Sequence, residues 1–328
     1  MGNYAMTVPL PMALDNQQEG FRKLVELGYK EAWSSEANGP DAFMPLVLGA
    51  IHAPELRLGT AIVPAFTRGP ALMAQSVATI AAIAPSRFVL GIGSSSNVIV
   101  ESWNGIPFQE PYKKTRDLVR FLKIALTGEK VDAEFETMQV KGFRLGMPPP
   151  TQRVPILVAA LREGMLRLAG QEGDGAIINW LSADDVKTVS KIVHDQGPEK
   201  EIVARIFVCP NEDSETVRLQ AKRAIASYLN VPVYRKFHEW LGRSDVLGEH
   251  WKLWDSGDRA GSLEAMPDSV VDDLIVHGTS KQCRDHIDRY IENGVTTAAL
   301  MVMPFGGIDP YQAIEDLAPR CCLLYTSP

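Results

Sequence analysis

Eight short apolar runs recur between Met6 and Pro304, and segments of helical period or irregular polar stretches fill the gaps between them. The runs are MTVPLP, EAWSS, RLGTAIVP, RFVLGIG, PILVAA, GAIINW, EIVARIFV and TTAALMVMP. They are nearly continuous in Val, Ile, Leu and Ala rather than alternating with polar residues. That is the pattern of strands covered on both faces of a parallel sheet. A parallel sheet needs a crossover after each strand, and the gaps supply them. GFRKLVELG carries Phe21, Leu24 and Val25 at helical spacing with Gly28 as a stop, DAFMPLVLGAIHAP opens on Asp41, and PALMAQSVATIAAIA starts at Pro70. PYKKTRDLVRFLKIALTG, EGMLRLAGQEG, SADDVKTVSKIVHD, DSETVRLQAKRAIASYL and SKQCRDHIDRYIENG continue the series. Eight such units are the number that closes a (β/α)8 TIM barrel, with an open doubly wound sheet as the alternative.

Two segments fall outside this alternation. EKVDAEFETMQVKGFRLGMPPP reads as a small hairpin. SYLNVPVYRKFHEWLGRSDVLGEHWKLWDSGD, between the seventh and eighth strands, is rich in aromatic residues and reads as a helical insertion. No Ser-, Gly- or Pro-rich linker divides the chain, so residues 1–320 are expected to form one domain. The last residues, CCLLYTSP, break from the composition before them and resemble translated adapter sequence. Residues 321–328 are therefore set apart from the fold.

The chain has 328 residues with a formal net charge of -7, which argues against nucleic acid as a partner. Its apolar runs are strand-sized, so no membrane-crossing helix is expected, and MGNYAMTVPLPMALD has neither a signal peptide's character nor a good myristoylation pattern. Four cysteines without a CxxC point to a reducing, cytoplasmic compartment with no structural zinc. His238 and His250 have no carboxylate or thiol partner at ligand spacing, so no metal site is expected. No GxSxG, GxxxxGK[ST] or HExxH is present. RFVLGIGSSS has the Gly-x-Gly of a phosphate loop but lacks its third glycine, since Ser96 stands there. At the end of a barrel strand that glycine is not needed, because no dinucleotide-type crossover packs at that point.

GYKEAWSSEANGPDAF, LRLGTAIVPAFTRGPALMAQSVATI, RFVLGIGSSSNVIVESWNGIPF and ILVAALREGMLRLAGQEGDGAIINWL together resemble the bacterial luciferase-like superfamily. Within it they resemble the branch that uses the deazaflavin coenzyme F420, the relatives of methylenetetrahydromethanopterin reductase. The resemblance runs through nearly the whole chain. It implies a barrel with the cofactor ring at the C-terminal face, homodimers, a small-molecule substrate, and a non-prolyl cis peptide in the third strand, which falls here at Ala61-Ile62. It also implies that Gly91, Gly93, Ser94, Ser95 and Ser96 line the cofactor pocket. Ala159, Ala160, Arg162 and Gly164 lie where a loop leads into a helix N-terminus, a natural anion site. Relatives carry Gly-Pro-Lys or Gly-Pro-Arg there; this chain has Arg162-Glu163-Gly164 instead, and Glu163 opposes the charge of Arg162. Thr67 and Arg68 follow the third strand on the same face, where the arginine would steady an anion.

Glu36 and Asn38 stand at the second strand's mouth, Glu36 where several relatives have histidine. Two roles are open to Glu36: proton transfer as a catalytic acid, or hydrogen bonding to loop amides. Relatives that oxidise sugar phosphates carry a glutamate where this chain has Ser96, which speaks against that activity. Asn179 would contact the cofactor, while Trp180 is either a pocket residue or core filling. Tyr234 and Trp240 of the aromatic insertion are expected to face the substrate chamber. The expected function is an F420-dependent oxidoreductase that transfers a hydride to or from C5 of the deazaflavin. The alternatives are an FMN-dependent monooxygenase using O2 and a flavin-binding protein without turnover.

Overall fold

The computed structural model describes residues 2–319, so the CCLLYTSP tail lies outside the described residues. Eight parallel strands close into a barrel: β1 (Asn3–Val8), β2 (Glu31–Ser34), β3 (Arg57–Thr60), β4 (Phe88–Gly93), β5 (Ile156–Ala159), β6 (Gly175–Asn179), β7 (Glu201–Cys209) and β8 (Thr297–Val302). They pair in chain order, and β8 returns to β1 with Thr297 to Leu300 opposite Asn3 to Met6. The open-sheet alternative is excluded by this closure. The third apolar run is split: β3 stops at Thr60, the Ala61-Ile62 peptide is cis, and Val63–Pro64 resumes pairing against Ile92 and Gly93. The first strand begins three residues before the expected MTVPLP and ends at the cis peptide Val8-Pro9.

The helical layer follows the amphipathic segments. Its members are α1 (Gln17–Glu26), α2 (Phe43–His52), α3 (Pro70–Ile83), α4 (Pro111–Ala125), α5 (Glu163–Gln171), α6 (Asp185–His194), α7 (Ser214–Leu229), and, past the insertion, α12 (Ser280–Glu292) and α13 (Pro310–Asp316). Asp213 accepts the amide of Thr216 to cap α7, and Thr279 and Gln282 form a reciprocal capping box on α12. Val131–Glu134 and Gln139–Phe143 form the small antiparallel hairpin. The stretch after α7 is helical throughout: α8 (Pro232–Trp240), α9 (Ser244–Asp255), α10 (Arg259–Glu264) and α11 (Asp268–Leu274). It ends in a short strand that was not expected, Ile275–His277, paired with the end of β7. Its anchors are apolar and polar together. Leu247, Trp251, Met266 and Val271 are buried against Val217 and Ile225 of α7, Trp251 Nε1 donates to the Leu229 carbonyl, and the His250 ring is bonded to Ser262.

Side chains fill the barrel in layers along its axis. At the N-terminal end Glu31, 1% exposed, accepts from Asn3, Trp33, Thr297 and Arg57, and Arg57 forks onto Glu201 with both bonds at 2.7 Å. Above this lies an apolar plug of Ala5, Trp33, Val89, Leu157, Ile177, Val203 and Ala299. The plug explains two glycines. Trp33 fills the space beside Gly59, where a Cβ would stand 2.3 Å from its ring. A Cβ on Gly91 would stand 1.8 Å from the Thr60 carbonyl oxygen, and Thr60 Oγ1 both donates to the Gly91 carbonyl and accepts its amide, each at 2.8 Å. Gly91 is thus required by the barrel wall itself, whatever binds above it.

Two outcomes follow for stability. Arg57→Met leaves the Glu31 carboxylate buried without its cation and is expected to cost about 3 kcal/mol in urea unfolding, whereas Arg153→Met, which breaks an exposed pair with Asp174, stays within about 0.5 kcal/mol. Gly91→Ala overpacks the wall and is expected to cost about 3 kcal/mol or more, or to leave the chain insoluble; a thermal melt matching the parent would refute this close approach.

Candidate functional site

The layer above the plug opens at the C-terminal ends of the strands. Small groups from three neighbouring strands line one side of it: Ala61 and Ile62 after β3, Gly93 on β4 and Ala159 on β5. A Cβ on Gly93 would reach Ala159 Cβ at 2.7 Å and Ile62 at 3.3 Å, so Gly93, Ala159 and Ile62 are close-set. Ile62 is held there by its carbonyl, which accepts the amide of Glu36 at 3.1 Å.

Beyond β4 the three serines turn the chain. Ser95 is left-handed (φ 63°), Ser96 Oγ accepts the amide of Ile99, and its carbonyl accepts the amide of Val100. Beyond β5, Ala160 is buried while Arg162 and Gly164 are exposed at the start of α5. Arg162 occupies the N-cap position with extended backbone (φ -118°, ψ 168°) and caps nothing with its side chain. The first amides of α5 are therefore free for an anion. Glu163 does not oppose Arg162 here, because it is paired with Arg167 at 2.7 Å.

Glu36, after β2, and Arg68, after β3, meet at the rim. Arg68 Nη1 donates to both Glu36 oxygens at 2.5 and 2.6 Å, and Glu36 also accepts from the amide of Ala42 and from Thr67 Oγ1. Arg68 lies over the Phe43 ring with its guanidinium carbon 5.0 Å from the centroid. The carboxylate offered by the sequence as an acid is thus engaged by its own arginine and by a loop amide. Asn38 is exposed in the same loop.

The opposite side of the mouth is aromatic. Asn179 exchanges a hydrogen bond with the Tyr234 hydroxyl at 3.3 Å, which places Tyr234 beside the end of β6. Burial raises the Tyr234 hydroxyl above its ordinary pKa, leaving it a neutral donor or acceptor. Trp180, left-handed at φ 54°, stacks on Phe207 with centroids 3.9 Å apart and touches Tyr228 at 4.5 Å. Its indole Nε1 is buried without a partner. Trp240 departs from expectation: it stacks on Phe237 and packs against the main core, apart from the Trp180 cluster. The reason is helical phase, since Tyr234 and Trp240 are six positions apart on α8 and cannot share one face. Tyr228 belongs to the aromatic segment SYLNVPVYRKFHEW that the sequence singled out, whereas Arg205 and Phe207, which complete this wall, were not; the one available signal was a lone arginine inside the apolar run EIVARIFV.

Elsewhere, a cleft of about 580 Å³ lies outside the barrel, lined by Asp184, Glu212, Asp272, His277 and Arg289. Several of its charges are paired, as in Asp272 with Arg218 and His277, and Asp184 with Lys187 and Arg289. Burial pushes the thiols of Cys209 and Cys283 up to about 11 and about 12, so neither is a nucleophile at neutral pH. Among the described residues there is no cluster of His, Cys, Asp or Glu able to hold a metal, and no helix long and apolar enough to cross a membrane.

Comparison with known proteins agrees with this geometry. The chain is 25% identical over 289 residues to a 5,10-methylenetetrahydromethanopterin reductase of Methanolobus tindarius, covering 84% of this chain and 87% of that protein. Its fold superimposes on the coenzyme F420-dependent tetrahydromethanopterin reductase of Methanopyrus kandleri with a TM-score of 0.78, at 19% identity and 97% coverage of both chains. The FMN complex of the oxygenating constituent of 3,6-diketocamphane monooxygenase from Pseudomonas putida matches with a TM-score of 0.66, at 15% identity and 97% coverage of both. A family model described as luciferase-like monooxygenase matches residues 2–297, and the chain belongs to that luciferase-like family.

Proposed function

We propose that this protein is an F420-dependent oxidoreductase acting on an organic small molecule at the C-terminal face of the barrel. The observation that carries this reading is the shape of the mouth. A close-set surface of Ala61, Ile62, Gly93 and Ala159 stands beside an uncapped helix N-terminus at Arg162 to Gly164. A flat ring system needs the first feature, and a phosphate or polyanionic tail needs the second. The likeness to F420-dependent enzymes favours the deazaflavin over FMN.

Coenzyme F420, when bound, supplies a hydride donor or acceptor at its C5. This chain's own residues bind and orient. Ala61, Ile62, Gly91, Gly93 and Ala159 would hold the ring, with Asn179 as a polar contact. Ser94, Ser95, Ser96, Thr67 and Ala160 border the same rim, and the free amides of α5 with Arg162 take the anionic end. Asn38, Trp180 and Tyr234 belong to the substrate side. Few obligatory side chains are required for such chemistry, because positioning and exclusion of water do most of what the protein contributes.

The Glu36–Arg68 pair is an ion pair at this rim. We read it as a gate on charge: Glu36 neutralises Arg68 and ties it to the start of α2. Proton transfer from Glu36 requires the pair to separate first. The exposed Met44 and Ile51 on α2 and Leu72 on α3 offer an apolar face that suits a second copy of the chain, in line with a homodimer. The residues from 2 to 319 are read as one domain, with two buried free thiols that suit a reducing, cytoplasmic setting.

The direct test is a pair of titrations of the purified protein with F420 and with FMN, followed by protein fluorescence. The expected result is saturable F420 binding at least about tenfold tighter than FMN. Tighter FMN binding, with oxygen consumed during turnover, would establish the monooxygenase reading instead. Glu36→Gln leaves Arg68 with only the Asp41 carboxylate, 3.8 Å away, and is expected to tighten binding of the anionic cofactor about threefold to tenfold. An unchanged dissociation constant would place the pair away from the cofactor.

A further inference from the structure

Arg205 is a half-buried charge, its Nε fully withdrawn from water, for which the barrel provides no counter-ion. It sits in the middle of β7, with Asn179 of β6 and Ala299 of β8 as its register partners. Val203, two residues earlier, belongs to the apolar plug with Ile177 and Ala299. Strand alternation therefore aims Arg205 into the same lumen, one layer nearer the mouth. Its guanidinium carbon lies 5.5 Å from the centre of the Phe207 ring, and Nη2 is turned onto the Met301 sulfur. Nε is buried without a hydrogen-bond partner. The titratable neighbours that act on it are the hydroxyls of Tyr228 and Tyr234, and burial lowers its pKa without removing its proton.

Other arginines withdrawn from water are treated differently. Arg57 holds Glu201, Arg68 holds Glu36, Arg116 holds Asp117 and Arg243 holds Asp185. Arg87 donates to two backbone carbonyls. A buried cation left without an anion is destabilising, so its presence in a functional mouth points to a partner that arrives from outside. Beside it stands an aromatic wall of Trp180, Phe207 and Tyr228, with a second unpartnered donor in Trp180 Nε1.

We propose that Arg205 is the anion-recognising residue of the substrate subsite, and that the substrate is an organic carboxylate with a flat apolar body. The carboxylate takes the fork of Arg205, and the body lies against the accessible Tyr228 and Tyr234 rings, which the buried Trp180 and Phe207 back. This rests on the reading of the mouth as a redox site, but its test does not need the cofactor.

Benzoate and its neutral isostere benzamide are titrated into the full chain without cofactor, by calorimetry and by Trp fluorescence. Benzoate is expected to bind and benzamide to bind about tenfold or more weakly. Arg205→Gln is expected to weaken benzoate about 30-fold and to leave benzamide unchanged, with Arg205→Lys intermediate because an ammonium cannot fork. Arg205→Met removes the uncompensated charge, so its melting temperature is expected to match or exceed the parent's. The proposal is overturned if benzoate and benzamide bind alike, if Arg205→Gln binds benzoate as the parent does, or if Arg205→Met melts more than about 5 °C lower, which marks a structural role. It is also overturned if Arg205→Gln weakens F420 itself about tenfold, since the guanidinium then serves the cofactor's anionic groups. Failure of the parent to bind F420, with benzoate discrimination intact, would sink the cofactor reading alone.

Discussion

Asn3 to Met6 lie beside Thr297 to Leu300, so the first and last strands of the cylinder are neighbours across almost the whole chain. That lateral pairing, continued through every adjacent pair of strands, satisfies the backbone of the barrel and leaves it without a free edge. It also forces the strands to tilt and brings their inward side chains into layers. Each later feature inherits its position from this closure, because a residue's layer is set by register and its direction by strand alternation.

The layers differ in character along the axis. Glu31, Arg57 and Glu201 tie the N-terminal end together with charge, and the plug around Trp33 seals the middle with apolar contact. The C-terminal layer is different in kind. It holds small residues on one side, aromatic residues on the other, an ion pair between Glu36 and Arg68, and a guanidinium at Arg205 that has no counter-ion. Stability is concentrated at one end and unsatisfied donors at the other. That asymmetry, more than any single motif, marks the mouth as the working face.

Much of this was legible before any coordinates. The eight apolar runs became eight strands, the amphipathic gaps became helices, and the cis bond falls at Ala61-Ile62 as the family resemblance implied. The misses have physical causes. The first strand extends back to Asn3 because β8 pairs with it there, and the short strand Ile275–His277 exists because β7 runs long enough to offer an edge. Both depend on partners far away in sequence. At Gly91 the missing side chain answers to the Thr60 carbonyl, a close approach that chain order alone does not reveal, whatever binds above it. Trp240 was grouped with Tyr234 by composition, but the turn of α8 separates them.

The amino-acid sequence by itself determined the class of fold, since continuous apolar strands with interleaved helices leave a parallel barrel as the economical way to bury both faces. It determined the helix starts too, where Asp, Thr and Pro act through nearest neighbours. Only the tertiary structure decided which charges are neutralised. Glu36 meets Arg68 from another loop, Arg57 meets Glu201 across the lumen, and Arg205 meets no carboxylate at all. Pairing is a matter of distances between residues remote in the chain, and those distances exist only once the cylinder has closed.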